Sequence, residues 1–430
     1  MNIGFVCSEY FSSREINGNL IPTSAHGGFG FLTRAKAEFL ASLGHTVHVF
    51  TYSSNFYYGK KGSFELIENG VKIHLVPERE RVGRSMISTG LNYLLNKPKE
   101  NGNFLSVINK EELQILQFED TPTTLLLANI ASLPKILVFQ DPFDYYDINL
   151  LIDSDHNYRR LLEDNNDPYI VKKEDEKFHN QIIINFLHKK NFVKPIREII
   201  DHSKFRSVFA EADFIGTKVK KMFSLNYTPL TIRNPVELYE NCWEKTRIPS
   251  FVWVGRWDPQ KRVDTMLRVA SELPEYDFYL IGTATEGAND YALIEKHLIE
   301  KFSKYSNIHI LGFIDEFTKR ERIGRSWALI NTSIREGLPI TFLEAMAEGT
   351  PIVSYVDPDS YVSRFGIKVN YSIESFKEGI ERSVQEKLYE RIGEKEREFI
   401  RREHEISVVM KRHNDIYKDI LGDKINEKNQ

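Results

Sequence analysis

"ALINTSIREGLPITFLEAMAEGTPIVSYV", Ala328 to Val356, reads as strand, loop, helix and strand. "ALINTS" (328–333) and "PIVSYV" (351–356) are short apolar runs suited to a buried parallel sheet, and a helix between them supplies the crossover that parallel strands require. Arg335, Glu336 and Gly337 then fall in the loop at the C-terminal end of the first strand. Pro339 suits the first helical position, having no N–H to lose and a fixed φ. Backbone N–H groups near Gly337 and Leu338 therefore open toward the crevice at the sheet edge, where they can bind an anion. Glu336, outside the helix, is free to meet a sugar hydroxyl, and Glu344, in the second turn, sits deeper along the same wall. A carboxylate accepts two hydrogen bonds and so fits a vicinal diol. The bland alternatives are a helix-dipole charge at Glu336, worth about 0.3–1 kcal/mol, and a solvated helix residue at Glu344.

The same alternation continues outward in both directions. In the second half it predicts strands at 251–256, 277–283, 308–314, 328–333 and 351–356; in the first half, at 2–6, 46–52, 71–76, 113–118, 135–140 and 213–217. Each set suffices for one open, doubly wound sheet covered by helices on both faces. The fold class is α/β, with two Rossmann-like domains, 1–235 and 250–404, parted in a polar segment that Pro235 and Pro249 bracket. Residues 80–110 and 144–200 read as excursions from the first sheet. The stretch 386–421 is amphipathic and helical, with fraying expected beyond it.

Composition sets the class. A chain of 430 residues exceeds what one core organises, and 41% hydrophobic with 27% charged residues describes an ordinary globular protein. The net charge of -4 gives no pull toward nucleic acid. Cys7 and Cys242, far apart, argue against a disulfide framework and a structural zinc site, and for a reducing, cytoplasmic setting. No signal peptide opens the chain. The most apolar window, 123–139, is broken by Asn129, Ser132, Pro134 and Lys135 and cannot span a membrane. The basic run 188–206 is a solvated helix face or a candidate for peripheral contact with the inner face of a membrane.

Two further constellations carry chemistry. Gly27, Gly28 and Gly30 stand before a helical pattern, where glycines let backbone approach a phosphate; Thr33 occupies the third-glycine position of a dinucleotide fingerprint, so a simple tight turn competes with that reading. "FVWVGRWDPQKRVD" (251–264) ends a buried strand at Gly255 and Arg256 and brings Lys261 to a helix start. A forked guanidinium and a point charge at one sheet edge suit a diphosphate, against the alternative that they are solvated or paired with Asp258 and Asp264. "DSD" (153–155) and "DPD" (357–359) imitate metal-binding aspartate pairs but read as turns, so no metal ligands are assigned.

Together "GGFG", "IRNPVE" (232–237), "VGRWDPQKRVD" and "REGLPITFLEAMAEGTPIVS" resemble the retaining, nucleotide-sugar-dependent glycosyltransferases of group 1, or family 4, of the GT-B fold. The resemblance spans most of the chain and implies two domains facing across a cleft. It implies that 1–235 is the acceptor side, that 250–404 binds the donor, and that a helix over 405–421 crosses back to the first domain. Arg256 and Lys261, beside Gly255, would hold the donor diphosphate, with Glu344 on the ribose and Glu336 on the transferred sugar. Gly28 and Gly30 would border the phosphates. No cofactor is implied; the partners are a nucleotide-diphosphate sugar and a hydroxyl acceptor, whether glycan, lipid or small molecule. Where many members carry a histidine, this chain has Gln140 followed by Asp141, and "DPDSYVSRFG" (357–366) replaces a glycine-rich loop. Those departures keep open a non-catalytic nucleotide-sugar-binding subunit and a sugar-nucleotide epimerase. A glycosidase using the two glutamates ranks low, since it has no use for the cations.

Overall fold

The computed structural model describes residues 1–7, 10, 13–16, 19–22, 28–53, 64–77, 104–119, 132–140, 197, 200, 207–240, 243–258, 260–284 and 289–428. Asp141, Gly27, Cys242, the "DSD" pair and most of the basic run lie outside them. The described residues form two compact units: one of the chain before Val236 together with the segment from Ile406 on, the other of Val236–Glu405.

The first unit is an eight-stranded sheet. Its strands are β1 (Asn2–Val6), β4 (Thr46–Ser53), β5 (Phe64–Glu68), β6 (Val71–Pro77), β7 (Ile115–Glu119), β8 (Lys135–Phe139), β9 (Ser207–Ala210) and β10 (Leu230–Thr231); β2 (Ser13–Ile16) and β3 (Asn19–Pro22) pair separately as an antiparallel hairpin. The order is β10-β9-β8-β7-β1-β4-β6-β5, parallel except for the edge strand β5. Alternation along β4 explains its two faces: Val47 and Val49 enter the core with Ile3, Phe5, Val71 and Ile73, and His48 and Phe50 point the other way. Val409, Met410, Tyr417 and Ile420 of the last helix, Ile406–Lys428, complete that core.

The second unit holds β11 (Ser250–Val254), β12 (Asp277–Ile281), β13 (Ile308–Gly312), β14 (Ala328–Asn331), β15 (Ile352–Ser354) and β16 (Gly366–Lys368), all parallel, in the order β13-β12-β11-β14-β15-β16. Numbered along the chain this is 3-2-1-4-5-6, the doubly wound order. The main run of the first sheet repeats it, from β6-β4-β1 to β7-β8-β9. Two glycines show how tightly the second unit is built. Gly282, at φ +120, would place a Cβ 1.9 Å from the Gly255 carbonyl oxygen. Gly349, at φ +61, ends the helix Ile340–Ala347 where Gly393 of the helix Leu388–Glu403 passes, and a Cβ would stand 3.1 Å from its carbonyl.

Several expectations change. Residues 213–217 are not a strand: the preceding Ser207–Ala210 is, and Asp213–Phe223 is a helix with Ile215, Val219 and Phe223 buried at four-residue spacing. Phe214, Ile215 and Thr217 had the composition of a strand, but Asp213 in the first turn and Lys220 and Lys221 in the last suit the helix dipole. Pro339 is the extended residue before the helix, at ψ 129, rather than its first turn. Gly28 and Gly30 lie inside the first turn of Gly28–Ser42, not ahead of it. The last helix continues through Lys428 instead of fraying at 422.

Candidate functional site

Strands β11 and β14 are neighbours at the point where the strand order of the second sheet reverses, and open α/β sheets bind ligands beyond the strand C-termini at that point. The loops that follow them are laced together. Thr332 Oγ1 accepts from Trp253 Nε1 at 3.0 Å and faces the carbonyls of Lys261 and Arg262 at 2.8 and 2.9 Å. Ile334 N–H donates to Gln260 O at 3.0 Å, and Gln260 Nε2 donates to Arg335 O at 2.9 Å. The backbone on either side of Glu336 is thereby fixed against the one carrying Lys261.

Lys261 Nζ lies 2.6 and 2.8 Å from the two oxygens of Glu336. Burial alone would raise the Glu336 carboxyl, but Lys261 and hydrogen bonds from Ser333 and Asn331 outweigh it and hold it below its ordinary value. It is an ionised group, unsuited to be the protonated acid of a glycosidase. Gly255 brings the end of β11 against the same lysine; a Cβ there would sit 3.6 Å from Lys261 Cγ. Arg256 has a side chain 45% exposed and meets Asp258 at 3.2 Å. The paired alternative thus holds for Arg256, yet its own guanidinium is half in solvent and can turn from Asp258 to another anion. Asp264 serves the buried Arg262 instead.

Past Gly337 and the buried Leu338, the helix Ile340–Ala347 starts with no side chain capping it; Phe342 N–H turns back to Pro339 O at 3.0 Å, and the N–H groups ahead of it are left for an anion. Glu344, in that helix, is 2% exposed, which removes the solvated alternative. Its Oε1 accepts from Lys319 Nζ at 2.8 Å, and its Oε2 is buried without a partner. Lys319, from the helix Glu316–Arg325, also meets Glu316 at 2.8 Å; burial would lower its pKa, but the two carboxylates raise it. Sequence reasoning missed Lys319, one charge in the strongly polar "EFTKRERIGR". Asp357 of "DPD" is engaged by Ser363 and by the N–H groups of Val362 and Ser363.

The first unit has its own polar centre at its strand ends. Gln140, after β8, is 3% exposed; its Nε2 donates to Glu119 and its Oε1 is buried and unpartnered. Glu119, ending β7, also accepts from Lys36 at 3.2 and 3.3 Å and from Gln117 at 2.6 Å. Lys36 meets Glu211, after β9, at 2.7 Å. Burial, with Glu119 beside it, pushes Glu211 up to about 7 against the pull of Lys36. The signal for this network was a lysine on an otherwise buried stripe, Leu32, Lys36, Leu40. Gly28 is exposed and Gly30 buried at the start of that helix.

Comparison with known structures matches nearly the whole chain. Sucrose-phosphate synthase from Thermosynechococcus elongatus superposes with a TM-score of 0.67 at 13% identity, covering 98% of this chain and 99% of that one. HepE of Anabaena, solved with UDP and glucose, gives 0.61 at 12% identity, over 97% and 99%. The fold is GT-B. Within this GT-B chain, residues 244–399 match the family described as "Glycosyl transferases group 1". That segment contains Arg256, Lys261, Lys319, Glu336 and Glu344, and stops short of the polar centre of the first unit. The O-antigen biosynthesis glycosyltransferase WbnH of Escherichia coli is 29% identical over 124 residues, 29% of this chain and 33% of that relative, so the chain spans about a third of the curated relatives it matches. Among the described residues no helix is long and apolar enough to cross a membrane.

Proposed function

We propose that the protein is a cytoplasmic, retaining glycosyltransferase that moves a sugar from a nucleotide-diphosphate donor to a hydroxyl acceptor. The observation that carries this reading is the pair of buried carboxylates beside one uncapped helix start. Glu336 is held charged by Lys261, and Glu344 carries one oxygen with no partner. A buried acceptor left unpaired costs about 1–3 kcal/mol, and a ribose hydroxyl donating to it removes that cost. Glu344 is therefore assigned to the ribose and Glu336 to the hydroxyls of the transferred sugar. As the bond to the anomeric carbon breaks, charge builds on the leaving diphosphate. Arg256, Lys261 and the N–H groups from Gly337 into the helix stabilise it there, already oriented by the laced loops. Attack by the acceptor oxygen on the face from which the diphosphate departs, its proton passing to the departing phosphate oxygen, gives retention without a covalent enzyme intermediate. In the first unit, the acceptor side, Gln140 and the helix start at Gly28 and Gly30 are assigned to the sugar and phosphates, and Asp141 follows Gln140 in sequence.

The test is a thermal-shift screen of nucleotide sugars, followed by product analysis by proton NMR with the stabilising donor. Stabilisation by one nucleotide sugar and slow donor hydrolysis without acceptor support the enzyme. Stabilisation without hydrolysis or transfer would favour a binding subunit, and interconversion of two donors an epimerase.

A further inference from the structure

The face of the first sheet that turns away from its main core carries two histidines where apolar residues would be expected. His48 on β4 is 4% exposed and His74 on β6 is 1% exposed. Glu111, in the turn ahead of β7, reaches over both. His48 Nδ1 and His74 Nε2 are 2.9 Å apart, Glu111 Oε2 is 3.6 Å from the first, and Glu111 Oε1 is 3.8 Å from the second. An ion with four tetrahedral bonds of about 2.0–2.2 Å keeps its ligand atoms about 3.3–3.6 Å apart. Glu111 turns a different oxygen to each imidazole; with one ligand atom from each residue the three atoms all lie within 4.8 Å of one another, so a small rotation of the carboxylate brings them to that spacing. We propose that His48, His74 and Glu111 form a binding site for one divalent transition ion, Zn²⁺ by preference, with water in the fourth position.

Three surroundings support the assignment. Glu65 Oε1 lies 3.2 Å from His74 Nδ1, close though off the line of an ideal N–H bond. A carboxylate behind a ligating histidine holds the proton on the far nitrogen and leaves the near lone pair for the metal. Phe50 stacks on His74, with ring centres 4.6 Å apart and planes 8° from parallel, fixing the ring. Burial pushes both histidines below their ordinary value against the pull of Glu111, and against its own burial Glu111 is lowered by the hydrogen bond from Lys72. Neutral imidazoles and an ionised carboxylate are the protonation states that a metal takes.

Lys72 is the competing cation. Its Nζ stands 2.9 Å from Glu111 and 3.5 Å from Glu65, and its side chain is 32% exposed, so it can withdraw to water. In the metal-free chain one imidazole N–H donates to the other. Metal binding requires that proton to move to the far ring nitrogen and the ion to take the place of the ammonium beside Glu111. His48 lies in the first half of β4, His74 at the middle of β6 and Glu111 ahead of β7, whereas Glu119 and Gln140 lie at or beyond the C-terminal ends of β7 and β8. The ion would tie β4, β6 and the approach to β7 together and take no part in catalysis at the strand C-termini. The proposal does not rest on the glycosyltransferase reading.

The experiment uses untagged full-length protein stripped with EDTA, dialysed, and titrated with Co²⁺. The expected result is one equivalent bound with the visible absorption of a tetrahedral ion, displaced by Zn²⁺, and a melting temperature raised by either ion. Glu111→Gln and His74→Gln should each weaken binding by about 100-fold or more, while circular dichroism reports an intact fold for Glu111→Gln. Lys72→Met should tighten binding by about 10-fold, an effect that damage to the fold would not produce. Absence of a stoichiometric cobalt band in both wild type and Lys72→Met would overturn the site, as would a band unchanged in Glu111→Gln and His74→Gln.

Discussion

Replacing Glu344 by glutamine keeps its shape and removes its charge, and the surroundings dictate how the amide must lie. Lys319 Nζ, 2.8 Å from Oε1, can only donate, so the amide oxygen must stay on that side. The NH₂ group then takes the place of Oε2, which is buried without a partner. Under the proposed assignment to the ribose, an acceptor for its hydroxyl becomes a donor. The loss is that of a hydrogen bond to a charged group, about 1.5–3 kcal/mol, or roughly 10–150-fold in affinity. It applies equally to the donor and to the free nucleoside diphosphate, because both carry the ribose. Glu336→Gln should act differently: it loosens the contact with the reacting sugar and releases Lys261, so kcat falls while the free diphosphate binds at least as tightly as before. Calorimetry with the best-binding nucleoside diphosphate, alongside steady-state kinetics, separates the two. If the diphosphate bound Glu344→Gln as tightly as wild type, or if Glu336→Gln kept full kcat, the assignments would be refuted.

Lys319→Met should lower stability by about 3–5 kcal/mol, because it leaves the buried Glu344 carboxylate without its cation and beside Glu316; a change under about 1 kcal/mol in urea unfolding would show that the pair is not needed. Glu211, raised by burial to about 7, binds its proton more tightly folded than unfolded, so its contribution is full below about pH 4.5 and is lost as pH rises through about 7. Glu211→Gln should therefore gain on wild type in melting temperature between about pH 5 and pH 8.5, and a constant gap over that range contradicts the reading. Transfer at 25 °C should persist in excess EDTA if, as proposed, Arg256, Lys261 and a helix start hold the diphosphate; loss of activity restored by magnesium would count against that clamp. Gly282→Ala should fail to accumulate as folded protein, because its Cβ would overlap the Gly255 carbonyl at 1.9 Å; a soluble variant with wild-type melting temperature would contradict the close approach.

The second unit was legible because its information is local. Strands β11 to β15 are short apolar runs, and the residues singled out, Arg256 and Glu336, lie in the loops just beyond β11 and β14; the three-residue β16, "GIK", is too short and polar to stand out. That Lys261 would touch Glu336 was not legible: both were assigned to ligands, and their ion pair depends on loops 75 residues apart in sequence. Lys319 and the Lys36, Glu119 and Glu211 network escaped for the same reason. Their partners come from separate elements, as when Tyr417 donates to Gln117 across 300 residues. The edge strand β5 escaped because Ile67 is 79% exposed and the run "FELIE" has charges at two of its five positions. His48, His74 and Glu111 lie too far apart in sequence for ligand-spacing rules to group them.

The helix that begins at Ile406 has a consequence for how the protein is made. Its Val409, Met410 and Tyr417 belong to the core of the unit that contains the N-terminus. The first half of the chain therefore leaves the ribosome with an unfinished interior, and the roughly 170 residues of Val236–Glu405 must be translated before the missing piece exists. At about 5–20 residues per second that delay is on the order of 10–30 s. During it the apolar side chains that this helix joins in the core, Ile3, Val47 and Leu75 among them, lack their last covering element. The second unit, whose described residues run from Val236 to Glu405, can finish folding first, reversing the order in which the halves are synthesised.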